Sequence, residues 1–231
     1  MVFGEIIIPS SRSLYGDDFH DVEPYTPNPF RWDDDSTLNL SKIKIDVLII
    51  INTKSIIEVF KQCVYENLRP FKVSTEQGLS LYNLNINTYL LVCENKPNYS
   101  SGEIFLNIMD IVGKSTKIYG VTSSALTMFE GDQPLQEESC TIFTLKTPQI
   151  NDTFFYEKLP IPNFITGICA DLLTYSLCNN KSCAVFIGFL DTASLDSKNT
   201  LNLIQLMRQI GIQGVKGFSL KIRTPENNLY A

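Results

Sequence analysis

Seven consecutive residues, Ile45-Asp46-Val47-Leu48-Ile49-Ile50-Ile51, are almost continuously apolar and mostly β-branched. A strand with one wet face alternates polar and apolar side chains. A run this unbroken suits a strand covered on both faces, and so demands a layer of helices on each side. Similar runs recur at residues 88–93, 117–121 and 184–190, and 141–145 alternates like a strand with one wet face. Helical spacing fills the gaps. Ile57, Phe60, Val64 and Leu68 follow a possible capping box at Ser55-x-x-Glu58, and Ser101 opens a helix with Ile104, Ile108, Ile111 and Val112 inward, stopped by Gly113. Ile165, Ile168, Leu172 and Tyr175 share one helical face; Leu203, Ile204, Met207 and Ile210 share another, ended by Gly211. Strands alternating with helices predict an α/β three-layer sandwich with a mostly apolar central sheet.

Charge divides the chain. Residues 1–40 hold eight acidic and two basic side chains, and the rest balances at seventeen of each. Residues 9–35 also contain Pro9, Pro24, Pro27 and Pro29, with Asp33-Asp34-Asp35 near their end. Such a stretch has little to bury and resists helix. The expected organisation is an extended acidic arm over 1–40, one α/β domain over 41–212, and a flexible tail over 213–231. Phe30 and Trp32 are candidates for pinning the end of the arm, and the three aspartates read as a solvated loop. With a net charge of −6, no general nucleic-acid surface is expected. The start lacks a basic n-region and no window is apolar enough for a membrane span, so a cytoplasmic chain is expected, with the nucleus as a second compartment.

Little catalytic machinery can be read from the residues. The six cysteines read as reduced thiols; Cys63, Cys93, Cys169 and Cys183 sit in apolar patterns, where a free thiol behaves as a small hydrophobe. There is no Cys-x-x-Cys, and His20 is the one histidine, so neither a structural zinc site nor a His-assisted nucleophile is expected. No phosphate loop and no Gly-x-Ser-x-Gly elbow occurs. An α/β sheet binds ligands at the carboxyl ends of its strands, which makes Asn52-Thr53, Glu94, Thr122-Ser123-Ser124 and Asp191-Thr192 the candidates there. No catalytic residue, cofactor or metal is assigned.

The chain finishes Leu229-Tyr230-Ala231, a hydrophobic-Tyr-X tail. It combines an aliphatic side chain, an amphipathic ring and a carboxylate, a set that a pocket with a basic floor captures. The opening Val2-Phe3-Gly4-Glu5-Ile6-Ile7 with its acidic, proline-containing arm resembles that of the proteasome assembly chaperone 1 family. So does the segment from Ile165 to Asp191, with Cys169, Leu172-Leu173-Thr174-Tyr175 and an apolar strand ending in an acid, and so does the final Asn228-Leu229-Tyr230-Ala231. The resemblance is dense at these three places and rests on element order elsewhere.

That resemblance implies an ATP-independent chaperone, not an enzyme, working as a heterodimer with proteasome assembly chaperone 2 on the α-ring of the proteasome core particle. Leu229, Tyr230 and the carboxylate of Ala231 would then enter a pocket between neighbouring α subunits. Two other readings compete with it: a small-molecule enzyme of nucleoside-phosphorylase-like α/β type, and a proteasome-binding adaptor or activator using the same tail. A ligand crevice near Asn52, Ser123 and Asp191 would favour the enzyme; a featureless crevice beside an exposed apolar face would favour the chaperone.

Overall fold

The computed structural model describes residues 31–33, 43–64, 68–94, 96–131, 135, 140–191, 195 and 200–212. Among these residues the body is an eight-stranded mixed sheet with four α-helices. Its elements run β1 (Ile45–Ile51), α1 (Lys54–Val64), β2 (Lys72–Ser74), β3 (Leu79–Asn85), β4 (Thr88–Cys93), α2 (Ser101–Lys114) and β5 (Ser115–Ala125). They continue with β6 (Thr141–Lys146), β7 (Glu157–Lys158), α3 (Ile168–Cys178), β8 (Ser182–Leu190) and α4 (Leu201–Gln209). The strand order is β2-β3-β4-β1-β5-β8-β6-β7, in which β4, β1, β5 and β8 are parallel neighbours. Antiparallel β3 and β6 flank this core.

Both faces are covered, as the apolar runs require. Ile49, Ile51, Tyr119, Val121 and Phe186 join one cluster with Ile56 and Phe60 of α1 and with Leu203, Ile204 and Met207 of α4. The opposite face meets α3. A Cβ on Gly120 would stand 3.1 Å from Val185 Cγ2, 3.2 Å from Cys169 Sγ and 3.3 Å from Leu172 Cδ2, so β5 and α3 approach as closely as glycine allows. Helices α2 and α3 lie together there, with Phe105 edge-on to Tyr175 at 5.6 Å. Leu48, Ile49, Ile50 and Ile51 are all fully buried.

Several helix ends differ from the sequence expectation. Ser55 is not the cap of α1; the helix starts at Lys54, and the Thr53 carbonyl accepts from the Ile57 N–H at 3.0 Å. The reciprocal box lies instead at Ser100 and Glu103, where Ser100 Oγ accepts from the Glu103 N–H and Glu103 Oε2 accepts from the Ser100 N–H. Nor does Gly113 stop α2. The helix runs on to Lys114 because Lys181 Nζ donates to the Gly113 and Ser115 carbonyls at 2.6 and 3.0 Å, satisfying acceptors that a helix end leaves open. Helix α3 starts at Ile168 and not at Ile165, since Gly167 takes φ +69°. Gly211, by contrast, ends α4 as expected. At φ +97° its N–H reaches the Arg208 carbonyl while the Ile212 N–H reaches that of Met207, the paired bonds of a Schellman end.

The first of the three aspartates has a structural partner. The Asp33 N–H donates to the Val73 carbonyl at 2.7 Å, and its carboxylate accepts from the N–H and hydroxyl of Thr75. Asp33 thereby attaches to the edge strand β2, with Trp32 beside it half-buried. Residues 1–30 and 213–231, which hold most of the expected arm and the whole expected tail, lie outside the described residues.

Candidate cleft at the carboxyl ends of β1 and β5

Two parallel strands in register bring their carboxyl ends to the same level. Ile51 of β1 pairs with Val121 of β5, so Asn52-Thr53 arrives beside Thr122-Ser123. Thr53 Oγ1 and Ser123 Oγ are 2.8 Å apart, a hydroxyl pair bridging the two ends. Thr53 sits at φ +71°, the left-handed region that a β-branched residue rarely occupies. This turn lets the chain leave β1 and enter α1 within two residues.

Behind them, Asn52 is only 4% exposed. Its Oδ1 accepts from the Cys169 thiol at 3.4 Å, which ties the end of β1 to the first turn of α3. Burial, followed by the nearby Cys183 and Asp171, raises the pKa of Cys169, so the sulfur keeps the proton that it donates. Gly167 stands at the cap position before α3 and supplies no side-chain cap.

The far wall comes from the 160–164 loop. Asn163 staples it, donating to the Glu130 and Pro160 carbonyls at 2.6 and 3.0 Å and accepting from the Glu130 N–H at 3.0 Å. The peptide bond preceding Pro162 is cis. These parts enclose a cleft of about 380 Å3. Its apolar lining includes Met128, Phe164, Ile187 and Phe189, while Glu130 is the one charged side chain there among the described residues. Met128 and Phe164 at the cleft and Ile161 in the adjoining loop remain largely exposed, at 67%, 74% and 95%.

Of the strand-end candidates, Asn52, Thr53, Thr122, Ser123 and Ser124 meet in this cleft. Glu94 does not line it and instead pairs with Lys61 at 2.9 Å. Asp191 follows β8 but is not part of the lining. Thr192, His20 and the tail residues Leu229, Tyr230 and Ala231 lie outside the described residues. Glu130, Asn163 and Gly167 were not singled out in the sequence. The available signal was the Pro160-Ile161-Pro162-Asn163 turn leading into a glycine just before a helix. Among the described residues, no three His, Cys, Asp or Glu side chains converge to hold a metal ion, and no helix is long and apolar enough to cross a membrane.

No protein-family model matches the chain, and no curated protein matches it in sequence. Solved structures are similar in fold. Pyrococcus furiosus PbaA, described as an archaeal homolog of proteasome-assembly chaperone, matches with a TM-score of 0.55 at 12% identity, over 78% of this chain and 85% of that one. A Thermoplasma acidophilum protein of unknown function matches with a TM-score of 0.54 at 15% identity, over 75% and 79%. Pyrococcus furiosus PbaB, described as an archaeal proteasome activator, matches with a TM-score of 0.50 at 11% identity, over 73% and 84%. The α/β body described above therefore has the fold found in PbaA.

Proposed function

We propose that this chain is an assembly chaperone of the proteasome core particle, without catalytic activity of its own. In this reading it binds the α-ring as a heterodimer with proteasome assembly chaperone 2, in the cytoplasm and the nucleus. The observation that carries the reading is the fold shared with PbaA over most of both chains. It agrees with the element order and chain ends that resemble proteasome assembly chaperone 1. The exposed Met128, Ile161 and Phe164 support it further, because apolar side chains gathered at one place on a surface commonly mark a protein contact.

Within this proposal, Leu229, Tyr230 and Ala231 anchor the chain in a pocket between α subunits. A basic group there would pair with the terminal carboxylate through a charge-assisted bond. Ordering three to five backbone residues costs about 1–2 kcal/mol each, so the tail binds weakly alone and gains from a body that also touches the ring.

Affinity purification of the full-length chain with its C-terminus free tests the reading. Proteasome α subunits and the second chaperone are the expected copurifying proteins. Recovery of neither, from cells that are assembling proteasomes, would overturn it. Recovery of mature particles without assembly intermediates would instead favour an activator, the role named for PbaB.

The cleft gives the enzyme reading one specific support, the meeting of Asn52 with Ser123. Nucleoside phosphorolysis also needs a phosphate site, and among the described residues the lining contains neither Lys nor Arg. Phosphorolysis of a nucleoside panel by the purified chain is the direct assay of this alternative.

A further inference from the structure

We propose that the cleft and the apolar loop beside it form a two-fold interface on which a second copy of this chain docks, Ile161 of each copy entering the cleft of the other. The pairing stands apart from the chaperone reading, since neither the tail nor the α-ring takes part in it.

The loop holds its apolar side chains outward before any partner arrives. Asn163 fastens it to the Glu130 N–H and carbonyl and to the Pro160 carbonyl. Next to Glu130, Phe129 stacks on Phe143 at 5.5 Å and stands edge-on to Phe189 at 5.1 Å. A segment tied down in this way cannot simply fold Met128, Ile161 and Phe164 away from water, and all three remain exposed. Groups already held in place lose little freedom on docking, which favours association.

The composition is that of the centre of a protein contact. Among the described residues Glu130 is the one charged side chain in the lining, against Met128, Phe164, Ile187 and Phe189. Depletion of charge at the core is what sets a protein interface apart from ordinary surface.

A projection and a hollow lie side by side, and that selects the occupant. Ile161 is 95% exposed and does not line its own cleft, although Pro162 next to it does. A cavity of about 150 Å3 takes a benzene ring. The cleft, at about 380 Å3, therefore has room for a branched aliphatic side chain and part of the loop that carries it. An unrelated partner would need a matching projection of its own. A second copy has one by construction, and a two-fold axis beside the loop satisfies both clefts at once, as a self-complementary contact requires. Charge does not oppose the approach, because residues 41–231 balance at seventeen acidic and seventeen basic side chains.

Area sets the strength. Three side chains of this size and exposure present about 400 Å2, a patch of the size that is often functional on a monomer. That is about half of the roughly 800 Å2 that each partner gives to a standard interface, so the dimer is weak.

Sedimentation velocity of the full-length chain, kept reduced because Cys178 is exposed, tests the proposal. Between about 1 and 300 µM the expected result is a monomer–dimer equilibrium with a dissociation constant of about 10–100 µM. No larger species should form, because a two-fold contact closes on itself. Ile161→Asp on the loop and Ser124→Lys in the cleft lining should each weaken the dimer at least about tenfold, and Phe164→Ser about threefold. Mixing Ile161→Asp with Ser124→Lys should restore it. One contact then sets the new carboxylate against the new ammonium, and the other keeps both original residues. A monomer over the whole range would overturn the proposal, even if the chain paired with a different protein. So would an unchanged dimer in folded Ile161→Asp, a mixture that fails to restore pairing, or growth into open-ended oligomers. Should either charged variant not fold, as judged by circular dichroism, Phe164→Ser and the size of the species decide the matter.

Discussion

Tyr119 donates its phenolic proton to the carboxylate of Asp152, while Lys117 reaches the other oxygen of that carboxylate at 2.8 Å. Two residues of β5 on the same face thereby hold the 147–156 segment against the sheet. Phe154 then packs edge-on to Tyr119 at 5.7 Å and to Phe186 at 4.9 Å. Burial opposes ionisation of Asp152, but the hydrogen bonds from Lys117 and Tyr119 outweigh it and lower its pKa below the usual 3.8.

Tyr119→Phe should therefore destabilise the body at neutral pH by about 1 kcal/mol, toward the low end for a bond to a charged group because Asp152 is partly exposed. A group whose pKa is lowered by folding adds stability above its unfolded pKa and loses it as pH falls through its folded value. The difference between wild type and variant should accordingly shrink on acidification below about pH 4. Urea unfolding at a series of pH values measures it.

The thiols give a second expectation. Five of the six cysteines are buried and Cys178 is exposed. Burial raises the pKa of Cys63, Cys93, Cys140, Cys169 and Cys183, and a protonated, buried thiol is a poor nucleophile. Native protein should titrate one fast thiol with a disulfide reagent and six after denaturation. Cys178→Ser should abolish the fast one.

Alkali should unfold the protein through the same groups. Burial pushes Cys183 to about 11, Cys140 to about 12 and Tyr82 to about 12. A group whose pKa is raised by folding keeps its proton while the unfolded chain loses it, so stability falls as pH rises between the two values. The melting temperature should hold steady to about pH 9 and then decline up to about pH 12, as followed by circular dichroism.

Gly120→Ala probes the contact between sheet and helix. Its Cβ would sit 3.1–3.3 Å from Val185, Cys169 and Leu172, tight on three sides at once. Overpacking of this kind costs about 1–3 kcal/mol. For a chain of this size that corresponds to a fall of about 2–12 °C in melting temperature. An unchanged melting temperature would show that α3 can move away from the sheet at no cost.

The tail prediction follows from the proposed function. Deleting Leu229, Tyr230 and Ala231 should leave melting unchanged while weakening α-ring binding, and Tyr230→Ala should do nearly as much. One residue added after Ala231 displaces the carboxylate by about 3.3–3.6 Å, beyond hydrogen-bond reach of a fixed basic group, and should be damaging too. Ala231→Ser should matter little. Surface plasmon resonance against purified α-rings measures all four variants, and unaltered affinity in the first three would remove the anchor.

Much of the sheet could be read from residue order alone. The runs at 45–51 and 184–190 are strands because only a strand buried on both faces tolerates such continuous apolar character. The inward faces of α1, α2 and α4 follow from a 3.6-residue period, and Gly211 ends α4 because a Schellman turn needs a left-handed residue. Strands β2 and β3 were missed, since Lys72-Val73-Ser74 is short and the alternation around Leu79 and Leu81 is weak. The carboxyl half of β5, Thr122 to Ala125, was missed because it is polar; its ladder partner β8 holds it in the sheet.

The cleft was only half legible. Asn52-Thr53 and Thr122-Ser124 could be named as strand ends, but nothing local says that they meet each other, or that Gly167 and Asn163 close the space around them. Asn52 and Cys169 are 117 positions apart. Periodicity records which side chains are buried. It carries no record of which strand lies beside which, and that is decided when β1 inserts between β4 and β5 and all three carboxyl ends come to one edge.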